Sequence, residues 1–205
     1  MTTGADDKNY KTKLKIVVGR EKLTMRLFIA INFNNNTRAR LLDLCDELQS
    51  RSERGRFSLP ENLHLTLAFI GEVSPKKLEK IKAILDTVIF DPFEVSIERL
   101  GTFSNGKLWW AGFRKDKPLM ILQREIEYKL ALCGFEMDGR KYSPHITLCR
   151  EVITDAVPWQ IEPFGETVKS VKLMRSERVN GKLTYTTIHE RRRQNDRLHP
   201  QPFKV

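Results

Sequence analysis

Two stretches of the chain carry the same four-residue pattern, His-x-Thr-Leu, at residues 64–67 and 145–148. Side chains alternate between the two faces of a β-strand, so each histidine shares a face with the threonine two residues later. A neutral imidazole can take a proton from water, and an imidazolium can protonate a departing oxygen, both near neutral pH. Two such groups on opposite sides of a phosphorus atom suit the hydrolysis of a cyclic phosphodiester, with no metal ion or cofactor required.

The threonines Thr66 and Thr147 add hydroxyl groups to these two faces. Hydroxyl donors can bind the non-bridging phosphoryl oxygens, where negative charge is held in the transition state. A single histidine on a strand is more often structural than catalytic. The other two histidines, His189 and His199, lack this context. It is the repetition of the pattern that favours a catalytic interpretation.

Strict alternation makes further predictions for the two strands. It places Ala68 on the face of His64, places Cys149 on the face of His145, and turns Arg150 away from His145. A cysteine four residues after a histidine is an alternative nucleophile. The three cysteines of the chain are widely spaced, however, and this favours reduced, mostly buried thiols.

Apolar periodicity predicts the elements that must position these residues. A helix is predicted after an N-cap at Asn36 or Thr37, a second begins at Ser74 and Pro75, and a third spans 118–133. Strands are predicted at 25–33, 61–73, 93–103, 107–113, 141–152, 168–179 and 182–190. Asn-Gly pairs at 105–106 and 180–181 predict two hairpins, one between the strands at 93–103 and 107–113 and one between those at 168–179 and 182–190.

A second pattern, Asn-Gly-Lys-Leu, occurs at 105–108 and again at 180–183. In each half of the chain the order is helix, His-x-Thr strand and Asn-Gly hairpin, which indicates a duplicated unit. The predicted fold is α+β and bilobal, with two pseudo-symmetric lobes that each contain an antiparallel sheet flanked by helices. The two histidine strands are then expected to face each other across one cleft.

The formal charge of +10 permits a polyanionic partner. Residues 1–24 and 190–205 each carry a net +3, which leaves +4 for the remainder. We therefore divide the chain into a basic extension at 1–24, a domain at 25–190 and a basic tail at 191–205. No apolar run of about 18 residues predicts a membrane span, and no apolar signal segment precedes the domain. A cytoplasmic monomer is expected.

The sequence resembles the two-histidine (2H) phosphoesterases, in particular the LigT-like RNA 2′,3′-cyclic phosphodiesterases, also called 2′-5′ RNA ligases. The resemblance covers about residues 25 to 190. The stretches that carry it are MRLFIAI at 25–31, ENLHLTLAFIGEV at 61–73, LGTF with LWWAG within 100–112, and YSPHITLCR at 142–150.

The resemblance implies that His64 donates a proton and His145 accepts one, with a 2′-phosphomonoester as product. Arg150 matches the arginine that closes the second motif of the family, where it can contact phosphate. For Arg150 to do so, the strand must end or bulge before it. The implied substrate is RNA with a 2′,3′-cyclic phosphate end, including tRNA halves, which family members can also join.

Two alternatives remain open from the sequence. The protein can be an RNA-end-binding protein with little turnover, or a cyclic phosphodiesterase that acts on small nucleotides. The intact pairs of histidine and threonine favour an enzyme over a binding protein.

Overall fold

A computed structural model describes residues 24–192, so the predicted extension and tail, including His199, lie almost entirely outside the described residues. Three helices are present: α1 (Asn35–Ser50), α2 (Pro75–Asp86) and α3 (Lys117–Leu132). A 3₁₀ turn lies at Pro60–Asn62. The strands are β1 (Met25–Asn32), β2 (Ser52–Phe57), β3 (His64–Val73), β4 (Phe93–Phe103), β5 (Leu108–Phe113), β6 (His145–Thr154), β7 (Gln160–Val168), β8 (Ser170–Val179) and β9 (Lys182–Arg192).

The nine strands form two sheets, and all their pairings are antiparallel. The first sheet has the order β3-β1-β8-β9, and the second has the order β2-β6-β5-β4-β7. Helix α1 contacts β2, β6 and β7, whereas α3 contacts β3 and β4. The α+β class with two antiparallel sheets is thereby confirmed.

The sheets do not correspond to the two halves of the sequence. The first histidine strand, β3, lies in the first sheet, but the β4–β5 hairpin that follows it pairs with the second histidine strand, β6. The β8–β9 hairpin, which follows β6, is in turn part of the first sheet beside β1. Each repeated hairpin therefore completes the sheet that contains the other histidine strand.

Both predicted Asn-Gly hairpins are present. Their turns need a left-handed backbone, with φ of 53° at Asn105, 84° at Gly106, 50° at Asn180 and 79° at Gly181. Asparagine and glycine are the residues that adopt this conformation most readily, which explains why the pair recurs at both turns.

The start of α1 differs from the prediction. The N-cap is Asn34, whose side chain accepts a hydrogen bond from the backbone N–H of Thr37 at 2.9 Å. Thr37 itself is buried in the first turn, where its hydroxyl donates to the carbonyl of Gly165 at 3.3 Å. The predicted cap at Asn36 or Thr37 is therefore wrong, because three consecutive asparagines offered equivalent candidates.

Strands β2 and β7, the two edge strands of the second sheet, were not predicted from the sequence. The seven predicted strands are confirmed as β1, β3, β4, β5, β6, β8 and β9. Strand β9 extends to Arg192, two residues beyond the predicted domain boundary. Within residues 24–192 no helix has the length and apolarity needed to cross a membrane. The three cysteines are free, and Cys45 and Cys149 are buried, as predicted.

Candidate active site

A β-bulge interrupts the first His-x-Thr-Leu strand at its leucine. Across the β1–β3 pair, Ala30 is opposite Thr66 but its neighbour Ile29 is opposite Ala68. Leu67 is thus an extra residue with no partner in β1. An extra residue of this kind reverses the alternation of the side chains that directly follow it.

The second strand has its bulge at the equivalent residue. Across the β5–β6 pair, Trp110 is opposite Thr147 and its neighbour Trp109 is opposite Cys149, so Leu148 is the extra residue. The two copies of the pattern therefore share a backbone irregularity as well as a sequence.

The bulges change which residues face the histidines. Ala68 and Cys149 turn into the hydrophobic core, whereas Phe69 and Arg150 turn to the side of His64 and His145. The predicted placement of Ala68 and Cys149 on the histidine faces is wrong, as is the placement of Arg150 away from His145. The strand instead bulges before Arg150. Arg150 could contact a phosphate in the cavity only if the strand ended or bulged at this point.

Two backbone carbonyls at each bulge accept hydrogen bonds from outside the paired strands, which satisfies polar groups that would otherwise be costly to bury. In the first strand, the carbonyl of Thr66 accepts a hydrogen bond from the hydroxyl of Tyr142 at 2.9 Å. The carbonyl of Leu67 accepts one from the buried side-chain amide of Gln123 at 3.4 Å. Burial raises the pKa of Tyr142, so its hydroxyl remains a donor at neutral pH.

At the second bulge, a single residue, Ser58, donates the hydrogen bonds to both carbonyls. Its hydroxyl donates to the carbonyl of Thr147 at 2.8 Å, and its backbone N–H donates to the carbonyl of Leu148 at 2.8 Å. Ser58 lies in the segment that leads to His64, and Tyr142 lies in the segment that leads to His145. The segment that precedes each histidine therefore donates hydrogen bonds to the strand that carries the other histidine.

The predicted site residues meet at one cavity of about 720 Å³, lined by both sheets. Strands β3 and β6 contact each other there. The residues His64, Thr66, His145, Thr147 and Arg150 all line this cavity. Its charged lining residues are otherwise arginines, namely Arg26, Arg56 and Arg178, and no carboxylate of residues 24–192 is among them. The cavity is therefore suited to an anion.

The orientation of His64 follows from its contacts. Its Nδ1 lies 2.7 Å from the carbonyl oxygen of Asn62, and since a carbonyl can only accept, Nδ1 carries the proton. The Nε2 atom lies 3.0 Å from the Thr66 hydroxyl. The rings of Phe28 and Tyr185 pack against the imidazole, at centroid distances of 4.9 and 5.0 Å. The ring is thus held with Nε2 available as the reacting atom.

His145 is held by an equivalent contact. Its Nδ1 lies 2.8 Å from the carbonyl oxygen of Ser143, again two residues earlier, and this sets the same tautomer. The ring of Phe103 packs edge-on against it at 5.1 Å. Within residues 24–192 its Nε2 has no hydrogen-bond partner, whereas the Nε2 of His64 has Thr66.

The electrostatic surroundings lower the pKa of both histidines below the ordinary value of 6.5. For His64 burial is the largest cause, and the positive charges of His145 and Arg150 also lower the pKa. For His145 burial again comes first, followed by the lowering effect of Arg150. The backbone carbonyls that accept from Nδ1 oppose these shifts. Both imidazoles are therefore mainly neutral at pH 7 without a bound anion.

The other residues considered for a catalytic role, Cys149 and His189, do not line the cavity. Cys149 is fully buried, and burial raises the pKa of its thiol to about 11, which argues against a nucleophilic role. His189 lies 2.7 Å from Asp86 and does not line the cavity. Among residues 24–192 no three side chains of the metal-binding types converge on a common point.

The sequence analysis missed several residues at the cavity. Tyr185 carried a weak signal, because it belongs to a predicted strand, but its contact with the ring of His64 depends on the β8–β9 hairpin lying in the first sheet. Arg56 carried none, because it lies on the unpredicted edge strand β2, where it is opposite Arg150.

A sequence model of the family described as LigT like Phosphoesterase matches residues 31–110. The RNA 2′,3′-cyclic phosphodiesterase of Archaeoglobus fulgidus is 33% identical over 162 residues, which cover 74% of this chain and 91% of that protein. The protein of the same name from Escherichia coli K12 is 32% identical over 169 residues, which cover 80% of this chain and 93% of its own length.

The three-dimensional structure is also similar to that of a solved protein of this family. A crystal structure of E. coli LigT complexed with 3′-AMP superposes with a TM-score of 0.74 at 26% identity, covering 84% of this chain and 99% of LigT. The chain is therefore an enzyme of the LigT-like phosphoesterase family, to which these RNA 2′,3′-cyclic phosphodiesterases also belong.

Proposed function

We propose that this protein hydrolyses the 2′,3′-cyclic phosphate at the end of an RNA strand to a 2′-phosphomonoester. The observation that carries the proposal is the pair of imidazoles at one cationic cavity, each with Nδ1–H bound to a backbone carbonyl two residues earlier. This arrangement leaves two Nε2 atoms as a proton acceptor and a proton donor. The names of the curated relatives support RNA as the substrate class.

In the proposed mechanism, Nε2 of neutral His145 takes a proton from the attacking water. His64, in its protonated form, delivers a proton to the ribose 3′-oxygen as the bond from phosphorus to that oxygen breaks. Protonation of His64 is opposed in the free enzyme by its lowered pKa. A bound phosphate anion favours the charged imidazolium, so substrate binding itself prepares the acid.

Three further side chains bind the phosphoryl group in this proposal. The Thr66 and Thr147 hydroxyls donate to the non-bridging oxygens, and the Arg150 guanidinium neutralises their charge. Thr66 also contacts Nε2 of His64 at 3.0 Å, so it releases that contact when the phosphate binds. No step requires a cofactor.

The proposal extends to the domain, the cellular location and the RNA partners of the protein. We propose that residues 25–190 act as one phosphoesterase domain, that the protein is a cytoplasmic monomer, and that tRNA halves are among its RNA partners. Joining of such halves through a 2′-5′ bond is the reverse of similar chemistry, and we propose it as a secondary activity.

The proposal is tested by product analysis on an oligoribonucleotide that ends in a 2′,3′-cyclic phosphate, in the presence of excess chelator. We expect multiple turnovers and a 2′-phosphomonoester, identified against 2′- and 3′-phosphate standards. His64→Ala and His145→Ala should each lower kcat by about 10³-fold, whereas His189→Ala, at a histidine outside the cavity, should retain wild-type turnover. Full activity of either cavity variant, or a stoichiometric burst without turnover, would contradict the proposal.

A further inference from the structure

A second cavity, of about 620 Å³, lies beside the one that contains the histidines. It is lined by Arg54, Gly55, Arg56, Lys107, Glu151, Val152 and Ile153. Arg56 lines both cavities, so the two are adjacent and share a wall. We call this second cavity the basic groove. None of the groups that the proposed reaction uses lines it.

The walls of the basic groove come from three neighbouring strands of the second sheet. Arg54 and Arg56 belong to the edge strand β2, and Arg56 is opposite Arg150 on β6. Lys107 immediately precedes β5, and its carbonyl accepts a hydrogen bond from the N–H of Val152 on β6 at 3.4 Å. Cationic side chains therefore extend from the histidine cavity, at Arg150, along the groove.

The charge of the groove is predominantly positive. It has three cations, Arg54, Arg56 and Lys107, against one carboxylate, that of Glu151. Arg56 pairs with Glu151 at 2.5 Å, and the two side chains are 66% and 65% exposed. Ion pairs as exposed as this contribute little to stability, because water screens the attraction between the two charges. A phosphate can therefore replace Glu151 as the partner of Arg56 at little cost.

We propose that the basic groove binds the phosphodiester backbone of the RNA strand upstream of the nucleotide whose cyclic phosphate occupies the histidine cavity. Residues two apart on a strand are about 7 Å apart, so Arg54 and Arg56 can each serve a different phosphate of an extended strand. A positively charged groove that follows the backbone is how proteins bind single strands without reading sequence. The proposal rests on the proposed function for the position of the RNA end.

The consequence is a preference for oligonucleotides over mononucleotides, which removal of two groove cations should abolish. In the double variant Arg54→Ala/Lys107→Ala we expect kcat/KM for a short oligoribonucleotide cyclic phosphate to fall by about 10- to 30-fold at low salt. The kcat/KM for a mononucleoside 2′,3′-cyclic phosphate should change less than about twofold, since that substrate occupies only the histidine cavity.

The matched control is Lys76→Ala/Arg124→Ala, which removes the same charge from exposed helical positions that line neither cavity. It should leave the ratio of the two kcat/KM values unchanged. Equal losses on both substrates in the groove variant, or the same loss of selectivity in the control, would overturn the proposal.

A binding measurement separates failure of the groove from failure of the proposed function. We would measure the affinity for a fluorescent oligoribonucleotide that already ends in a 2′-phosphate, over a range of salt concentrations. Loss of two phosphate contacts should reduce the slope of log K against log salt by about 1.4. If the wild type hydrolyses neither substrate but the slope changes as expected, the catalytic proposal fails and the groove stands. An unchanged slope overturns the groove whatever the activity.

Discussion

The two histidine strands, β3 and β6, have nearly the same backbone and different surroundings. Each has its bulge at the leucine of the repeated pattern, and each histidine donates from Nδ1 to the carbonyl two residues before it. These shared features aim both Nε2 atoms and orient both threonines. The shared backbone therefore explains why both histidines can give or take a proton at Nε2.

The side chains around the strands make the two histidines unequal. His64 lies between Phe28 and Tyr185 and contacts Thr66, whereas among residues 24–192 only the ring of Phe103 packs against His145. After the bulge the first strand presents Phe69, and the second presents Arg150. Of these two residues only Arg150 is a cation, although Arg26 and Arg178 of the first sheet also line the cavity, so we expect the strand of His145 to hold the bound phosphate more strongly than the strand of His64 does.

The largest effect should distinguish the roles of the two histidines. On an ordinary cyclic phosphate, His64→Ala and His145→Ala should each lower kcat by about 10³-fold. On an analogue with sulfur in place of the ribose 3′-oxygen, the leaving thiolate needs no proton. His64→Ala should then return to within about tenfold of the wild type, and His145→Ala should stay impaired. Rescue of His145→Ala instead would reverse the assigned roles.

The next effect concerns the residues that follow the bulges. Arg150→Ala should lower kcat/KM by about 50-fold, the range expected for a lost hydrogen bond to a charged group, while Phe69→Ala should lower it less than about threefold. Because Arg150 lowers the pKa of both histidines, its removal should also move the pH profile of kcat/KM to higher pH. A profile that does not move would show that Arg150 acts only through contact.

A smaller effect should follow from the groups that satisfy the bulges. Tyr142→Phe removes the donor to the Thr66 carbonyl and should lower the free energy of unfolding by about 1 kcal/mol, or the Tm by about 2–4 °C. Ser58→Ala likewise removes one hydrogen bond, from the hydroxyl to the Thr147 carbonyl, so its effect should not exceed that of Tyr142→Phe. Thermal unfolding of the two variants measures the comparison, and a greater loss in Ser58→Ala would contradict it.

The smallest effect is on stability in acid. Since both imidazoles have a pKa below 6.5, the unfolded chain takes up protons first as the pH falls. The native state keeps its full stability above about pH 6.5 and loses some of it below that value. The double variant His64→Gln/His145→Gln should therefore lose less stability than the wild type between pH 7.5 and 5. Urea midpoints at several pH values would test this.

The sequence predicted most of the strands and the facing histidines, because apolar periodicity and a repeated pattern are both local signals. It could not predict the bulges at Leu67 and Leu148, since a bulge depends on the register of the neighbouring strand. Strand β2 was missed because its sequence, SERGRF, has almost no apolar residues, and β7 contains Pro163. Both are edge strands, where polar residues and proline are tolerated because one side needs no partner. Arg150 lies at the cavity because of the bulge at Leu148, whereas strict alternation of side chains predicted that it faces away from His145.

The exchange of the two hairpins has a consequence for how the protein folds. Each sheet requires strands from both halves of the chain, so neither 25–113 nor 117–192 contains a complete sheet. We therefore expect a single cooperative unfolding transition, not two, despite the duplicated sequence. Two fragments cut between β5 and α3 should remain unfolded apart and regain structure only when mixed. The arrangement also joins strands that are distant in sequence, such as β1 and β8, which favours slow folding for a chain of this size.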